Sequence, residues 1–164
     1  MSTPEERLAA LGLTLPPVSK PLAAYVPALR SGNYVYTSGQ LPTVDGELVA
    51  VGKVGTGAGA SVTPDDANAA ARVCALNALA AVRSVVGELS EVVQIVKVLG
   101  FVASTPDFTG QAAVINGASE LLLEVFGDGA GGAGRIGAHA RSAIGVAVLP
   151  RDAPVEVELI AEVR

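Results

Sequence analysis

The chain has 164 residues, of which 50% are hydrophobic and 16% are charged, and its formal net charge is -5. This length suits one domain with a real hydrophobic core, and the apolar composition excludes wholesale disorder. The basic residues are scattered along the chain, so no basic stripe is present to neutralise phosphates, and we expect no nucleic-acid partner.

The single cysteine and the N-terminal segment bear on where the chain works. Cys74 has no second cysteine to pair with, so we expect a core thiol in a protein of the reducing cytoplasm. The opening residues, MSTPEERLAALG, are too polar for a signal peptide, and polar residues interrupt the long apolar stretches. We therefore expect no membrane span and no membrane partner. One histidine and one cysteine in distant segments predict no metal site.

The first part of the chain predicts a short helix followed by a proline-rich connector. Residues 2–12 are predicted to be helical, because a serine and a threonine can cap the start and Gly12 can end the helix. The extended connector completes the segment 1–21. Both belong to the single domain predicted over residues 1–164, since no shift in composition marks a boundary.

Two strands and a glycine-rich stretch are predicted next. The apolar runs 22–30 and 33–41 predict neighbouring strands that turn at Ser31–Gly32. Residues 42–62 are rich in glycine and contain short strand pieces around Leu48–Val51.

The most clearly marked helix follows, over about residues 64–87. A Thr-Pro-Asp-Asp start, an apolar stripe and Gly87 at the end all favour it. The β-branched run 92–104 predicts a strand, and residues 107–126 predict another helix with Asp107 near its cap.

The chain closes with a predicted flexible loop over 127–137 and a predicted strand hairpin over 139–163. After the leading helix, the order of elements is ββαβαββ. Strands interleaved with two helices predict an α+β fold, in which a mixed sheet carries both helices on one face.

Arg141 is the unusual residue of this predicted hairpin. Alternation along the strand places Ile144, Val146 and Val148 toward the helices, and Arg141 on the opposite side with small residues at 143, 145 and 147. Small neighbours leave space beside the guanidinium, which could then hold a ligand carboxylate with two parallel hydrogen bonds. The alternative is an ion pair between Arg141 and a facing glutamate.

The predicted register separates Arg141 from Glu156. If Val148 pairs with Val155, Arg141 lies opposite Glu162, and the distance from Arg141 to Glu156 is roughly 20 Å along the strand. The two groups could then share a site only if a neighbouring copy supplied one of them. The low charged fraction agrees, because it suggests that copies of the chain cover part of the surface.

Several motifs give the chain a resemblance to a known family. The C-terminal part combines Arg141-Ser142, Leu149-Pro150 and Val155-Glu156-Val157-Glu158. Earlier matches are Tyr25, the run from Thr37 to Pro42, Asn77 and Asp107-Phe108. With these residues the chain resembles the RidA/YjgF family, also called the endoribonuclease L-PSP family, from about residue 20 to the C terminus. It looks like a longer, divergent branch of that family.

The resemblance implies a chorismate-mutase-like fold, in which three subunits form a central barrel with a pocket at each interface. It also implies cofactor-independent hydrolysis of small enamines and imines, such as 2-aminoacrylate, to 2-keto acids and ammonia. The partners would be a small carboxylate metabolite and further copies of the chain in a homotrimer. Arg141 would bind the substrate carboxylate, and Glu156 of a neighbouring copy would hold the attacking water. Gly39 would meet the imine end, with Ser38 beside it and Tyr25 lining the pocket.

Each of these residues also has a structural alternative. Glu156 could pair across the interface, Tyr25 could be a packed strand aromatic, and Ser38–Gly39 could serve a bulge or a close backbone approach. His139 is absent from the family pattern and lies on the predicted face of Arg141. It is either a ligand contact or a loop-end residue.

The chain departs from the deaminase branch of the family near Arg141. Ala143 stands where that branch usually has a cysteine, and Gly145 where it often has an acid. A trimer that only binds small carboxylates, such as keto acids, is therefore a second hypothesis. Ribonuclease activity, which the family name suggests, conflicts with the acidic charge and the lack of a basic groove.

Overall fold

The computed structural model describes residues 2–18, 24–127 and 136–164. Most of the predicted loop 127–137 lies outside the described residues, as do the end of the predicted connector and the start of the strand predicted over 22–30.

The described residues form three α-helices and seven strands. In chain order they are α1 (Pro4–Ala10), β1 (Ala28–Ser31), β2 (Tyr34–Thr37), β3 (Thr43–Val44), β4 (Glu47–Leu48), α2 (Pro64–Val86), β5 (Val92–Ala103), α3 (Gln111–Phe126), β6 (Ala140–Val146) and β7 (Val155–Val163). Single 3-10 turns at Leu89–Glu91 and Pro150–Asp152 precede β5 and β7. The strands β1 and β2 are shorter than predicted, and they turn at Gly32–Asn33, one residue later than expected.

Local signals mark the helix starts correctly for α1 and α2. Thr3 Oγ1 accepts a hydrogen bond from the Glu6 amide while the Glu6 carboxylate accepts one from the Thr3 amide, so two N–H groups at the start of α1 are satisfied reciprocally. At the start of α2, Thr63 Oγ1 accepts a hydrogen bond from the Asp66 amide, and Gly87 ends the helix at a φ of +91°.

The helix α2 is the core helix of the domain. Its buried side consists mostly of alanine together with Cys74, Leu79 and Val82, so the backbone can lie close to the sheet and to α3. By length and composition α2 could cross a membrane, but 56% of the relevant window is buried inside the protein. This burial is typical of a core helix.

The main sheet has the strand order β1-β2-β7-β5-β6. The strand β6 runs parallel to one side of β5, and β7 runs antiparallel to its other side. The predicted hairpin over 139–163 is therefore wrong, because β5 separates its two strands. At the end of β5, the Ala103 amide donates to the Pro154 carbonyl and the Ser104 amide to the Val146 carbonyl, so the connection between β6 and β7 passes this end.

The α+β class and the mixed sheet with the two long helices on one face are confirmed. In β7 the predicted faces are also correct, since its valines and Leu159 are buried against the helices. In β6 the predicted faces are reversed. Arg141 contacts α3 and Ala143 packs on the core, whereas Ile144 is 45% exposed. The edge position of β6 explains the error, because both of its faces carry apolar residues and neither is fully buried.

The second face of the main sheet carries no helix in the part of the chain that the structure describes. We call it the open sheet face. The strand registers place several large apolar or aromatic side chains on it, among them Leu29, Tyr34, Tyr36, Leu99, Phe101, Ile144, Val146 and Ile160. Leu29 is 60% exposed and Tyr36 is 43% exposed. The same face carries Glu156, Glu158, Glu162 and Lys97 beside these apolar side chains. Exposed apolar groups interspersed with charged ones in this way suit an interaction surface.

The helix α3 begins at Gln111, four residues after the predicted cap Asp107, and Gly110 precedes it without a side-chain cap. Two glycines bring α3 close to its neighbours. A methyl group on Gly117 would lie 2.0 Å from the Asn68 carbonyl oxygen of α2, and one on Gly100 of β5 would lie 2.4 Å from Cδ1 of Ile115. This close packing fixes the position of α3 over the edge strand β6.

Candidate functional site

Arg141 is held by α3 rather than by a carboxylate. Its Nη1 donates to Asn116 Oδ1 at 2.8 Å and to Ser119 Oγ at 3.1 Å, and its Nη2 donates to the Ala112 carbonyl oxygen at 3.2 Å. Among the described residues no carboxylate oxygen lies within 4.0 Å of the guanidinium. The alternative of an ion pair with a facing glutamate of the same chain is therefore wrong for this part of the protein.

The contacts to α3 leave one edge of the Arg141 guanidinium free. A guanidinium has five N–H donors, and three of them are used by Asn116, Ser119 and Ala112. The two remaining donors are the Nε–H and one N–H of Nη2. Nε and Nη2 are neighbours on one edge of the guanidinium, and a carboxylate can contact such an edge with two parallel hydrogen bonds.

His139 lies beside this arginine and contacts it through Ser119. His139 Nε2 is 2.9 Å from Ser119 Oγ, and His139 Nδ1 is 2.7 Å from the Gly137 carbonyl oxygen. Burial lowers the pKa of His139; the hydrogen bond to Gly137 raises it, and the positive charge of Arg141 lowers it further. The resulting balance favours the neutral imidazole.

The gap predicted beside Arg141 is not present within one chain. Ala143 packs against the hydrophobic core. A methyl group on Gly145 would lie 2.8 Å from Nε2 of Gln111 and 3.3 Å from Oγ of Ser104, so these side chains occupy that space. Any ligand of Arg141 must therefore approach its free edge from outside the chain's own packing.

Glu156 lies on the open sheet face beside Gly39. Gln40 forms a two-way backbone pair with Val157, which brings the preceding glycine over the strand β7. A methyl group on Gly39 would lie 1.8 Å from Oε1 of Glu156, so the close approach predicted for this glycine is present. Burial, and to a lesser degree the charge of Glu158, raises the pKa of the Glu156 carboxyl. A raised pKa makes this carboxylate a stronger proton acceptor than an ordinary glutamate.

Tyr25 and Ser38 lie near Gly39 and differ in their surroundings. Tyr25 is 47% exposed and lines a cavity of about 310 Å³ together with Gly39 and Asn77. Ser38 Oγ donates to the Val26 carbonyl oxygen at 2.6 Å, so this hydroxyl ties the chain before β1 to the end of β2. A ligand contact of Ser38 through its backbone stays a prediction.

Arg141 and Glu156 do not meet within one chain. The strand registers place Arg141 beside Val98, and Val98 beside Leu159, which puts the two Cα atoms roughly 14 Å apart from strand spacing and rise. The two side chains also point to opposite faces of the sheet. The two residues are apart, as predicted, but the distance is shorter than the roughly 20 Å expected, because the strand pairing from which that value was taken is wrong.

Sequence reasoning missed Asn116 and Ser119, which hold Arg141. Both lie on α3, more than twenty positions before Arg141. The sequence of a helix does not indicate which strand its polar residues will contact. The single cysteine, Cys74, is buried as predicted, with its Sγ 3.7 Å from the Val155 carbonyl oxygen and its pKa raised by burial. No group of three or more His, Cys, Asp or Glu side chains among the described residues is placed to hold a metal ion.

Comparisons with known proteins place this architecture in a family. The family model described as "YjgF/chorismate_mutase-like, putative endoribonuclease" matches residues 5–163. Protein TCP17 of Trypanosoma cruzi is 44% identical over 156 residues, which are 94% of this chain and 91% of that protein. A protein of unknown function from Agrobacterium tumefaciens is 42% identical with a TM-score of 0.85, over 98% of this chain and 92% of that one.

Two further solved structures resemble this chain to different degrees. A "putative endoribonuclease" from Shewanella oneidensis is 36% identical with a TM-score of 0.89, over 99% of this chain and all of that one (100%). The YjgF gene product of Escherichia coli is 28% identical with a TM-score of 0.59, over 92% of this chain and 94% of that one. The sheet order, the two helices on one face and these similarities agree: the chain belongs to the YjgF/chorismate mutase-like family, which is also the RidA family.

Proposed function

We propose that this protein hydrolyses small enamines or imines that carry a carboxylate, releasing 2-keto acids and ammonia. The observation that supports this most is the state of Arg141. Its guanidinium is fixed by three hydrogen bonds to α3 and has no carboxylate partner in the described part of the chain, while its Nε–H and one N–H of Nη2 have no partner there. A fixed and unpaired cation with a planar donor edge suits recognition of a small carboxylate.

Glu156 supplies the proton-transfer group of the proposed reaction. An enamine first shifts a proton from nitrogen to carbon to give the imine. The oxygen of a water then forms a bond to the imine carbon as the second C–N bond opens; Glu156 accepts one proton from that water and passes it to the nitrogen, which gives a carbinolamine. Glu156 next accepts the hydroxyl proton and passes it to the amine nitrogen, so that the carbon–nitrogen bond breaks, ammonia leaves and the C=O bond forms. The raised pKa of the Glu156 carboxyl supports this exchange, and the positioned water and bound carboxylate supply proximity.

The complete site requires a second copy of the chain. Arg141 and Glu156 lie on opposite faces of the sheet within one chain, so a site that contains both must take one of them from a neighbour. The open sheet face, with Tyr36 43% exposed and Ile144 45% exposed, supplies the surface through which copies associate. We propose a homotrimer with one site at each interface.

The experiment that tests the proposal measures ammonia release from 2-aminoacrylate generated in situ. The wild-type protein should accelerate release, and Arg141→Ala should abolish the acceleration. Arg72→Ala is the matched control, because Arg72 also contacts α3, through Glu124 at 2.5 Å, but on the side of α2. Equal rates with the wild type and with Arg141→Ala would remove the proposed mechanism.

A specific observation favours a second candidate, a binding protein for small keto acids. Ala143 and Gly145 provide no functional group beside Arg141, and Gln111 and Ser104 fill the space next to Gly145. Calorimetry that shows binding of 2-ketobutyrate without any measurable turnover of 2-aminoacrylate would favour this function. Cleavage of RNA by pure protein, with the salt dependence of phosphate contacts, would instead support a ribonuclease.

A further inference from the structure

We propose that Ser119 and His139 are positioning residues for Arg141, and that together the three form a unit that recognises a carboxylate. This inference rests on the proposed function, because it concerns how the carboxylate anchor of that site is held. His139 is not part of the family pattern that the sequence resembles.

The hydrogen bonds of the unit run in one direction. A carbonyl oxygen only accepts, so the proton on His139 must be on Nδ1, which donates to Gly137 at 2.7 Å. In the neutral ring Nε2 then carries no proton and accepts from the Ser119 hydroxyl at 2.9 Å. The Ser119 oxygen in turn accepts from Arg141 Nη1 at 3.1 Å. Hydrogen bonds that run in one direction strengthen each other.

The far end of the unit is fixed by the packing of Gly137. A methyl group at this position would lie 2.5 Å from the Leu122 carbonyl oxygen and 2.9 Å from Cα of Leu123. These are backbone atoms of α3 and cannot move aside easily, so only glycine lets the chain pass so close to the helix. The carbonyl that orients His139 is therefore fixed against the same helix that carries Ser119.

This arrangement determines which edge of Arg141 is free. Nη1 is held by Ser119 on one side and by Asn116 on the other, so its two N–H groups are both used. The plane of the guanidinium is then set, and the edge that carries Nε remains for a ligand. Without Ser119, Nη1 keeps only one partner, and the guanidinium can rotate away from the orientation that binds a carboxylate with two hydrogen bonds. The lowered pKa of His139 supports the unit, because the direction of the hydrogen bonds needs the neutral imidazole.

The test compares binding of 2-ketobutyrate by calorimetry across four variants. Ser119→Ala removes one hydrogen bond to the charged guanidinium and should raise the Kd about tenfold. His139→Leu should raise it by a similar factor, because the Ser119 hydroxyl is then no longer oriented for Arg141. Ser119→Thr keeps the hydroxyl and His139→Gln keeps an acceptor for it, so both should stay within about threefold of the wild type. Ser84→Ala is the matched control, because Ser84 is a helical serine of α2 that donates only to the Ala81 carbonyl oxygen.

A second measurement does not depend on ligand binding. Nitrogen-15 NMR of His139 should show the proton on Nδ1 in the wild type, and Ser119→Ala should change the Nε2 shift while Ser84→Ala should not. A proton on Nε2 in the wild type would contradict the proposed direction of the hydrogen bonds, whether or not the variants remain fully folded.

The outcomes separate the two proposals. If Arg141→Ala binds 2-ketobutyrate as tightly as the wild type, the proposed function fails. If Arg141→Ala loses binding but Ser119→Ala and His139→Leu keep the wild-type Kd, the function stands and the positioning role is wrong. Conservative variants that lose as much affinity as Ser119→Ala would also contradict the role, because they would indicate a packing effect rather than a hydrogen bond.

Discussion

Replacing Arg141 with lysine keeps the positive charge but removes the planar edge that the proposed carboxylate would contact. Arg141 uses three of its five N–H donors on α3 and keeps two for a ligand. A lysine ammonium has only three donors. If two of them replace the contacts to Asn116 and Ser119, at most one remains for the carboxylate.

The expected magnitude follows from the lost hydrogen bond. One hydrogen bond to a charged group contributes about 1.5–3 kcal/mol, so Arg141→Lys should raise the Kd for 2-ketobutyrate roughly 10- to 150-fold. The KM for an imine substrate should rise by a similar factor when chemistry is slow relative to substrate dissociation. Arg72→Lys provides the control, because Arg72 bonds to Glu124 of α3 from the other helix and is 34% exposed.

Calorimetry with both variants, together with ammonia release from 2-aminoacrylate, checks this prediction. If Arg141→Lys binds 2-ketobutyrate within about twofold of the wild type, charge alone explains recognition and the argument from the planar edge is wrong. If Arg72→Lys weakens binding as much as Arg141→Lys, the loss of affinity results from a general disturbance of α3 and not from the lost contact between Arg141 and the carboxylate.

Three further changes test other parts of the structure. Glu156→Gln should remove turnover. At pH values above the usual pKa of a glutamate it should also raise the melting temperature, because the fold raises the pKa of Glu156 and so disfavours its ionised form. The melting temperatures of the two proteins should coincide at low pH and separate as the pH rises, and equal values at every pH would contradict a raised pKa of Glu156. Gly117→Ala should destabilise the domain by about 1–3 kcal/mol in urea unfolding, because its methyl would lie 2.0 Å from the Asn68 carbonyl oxygen; an unchanged midpoint would show that the helices can separate at little cost. Ile144→Lys should leave the fold intact and shift the mass measured by light scattering toward the monomer, because it places a charge on the open sheet face; an unchanged mass would contradict association through that face.

The elements with local end signals could be predicted from the sequence. Thr63 and Gly87 mark the start and the end of α2 because a cap and a left-handed glycine act within one turn of the helix. The predicted start of α3 was four residues too early, because Asp107 is a residue type that often caps a helix. The residue that precedes the helix is Gly110, which has no side chain to form a cap.

The main error is the predicted hairpin of β6 and β7. It arose because the residues of a strand do not determine which other strand it pairs with. The alternation in β6 and β7 is compatible with a hairpin, and nothing in residues 139–163 indicates that β5 lies between them. The reversed faces of β6 follow from the same cause, because Ile144 counts as a core residue only if the strand is paired as a hairpin over the helices.

The candidate site was only half predictable for a related reason. Arg141, Glu156 and Gly39 stand in motifs that a family pattern marks. Asn116 and Ser119 reach Arg141 because Gly100 and Gly117 let α3 lie close to its neighbours. This distance depends on segments that are far apart in the sequence, so no short motif predicts it.

The central claim is that one site uses Arg141 of one copy and Glu156 of another. Hybrid oligomers made from equal amounts of Arg141→Ala and Glu156→Gln chains test it most directly, with ammonia release from 2-aminoacrylate as the readout. Each parent alone should be inactive. In a cyclic oligomer assembled at random, about one interface in four combines an intact arginine with an intact glutamate, so the hybrids should regain about a quarter of the wild-type activity. Hybrids that are no more active than the two parents would contradict a site shared between copies.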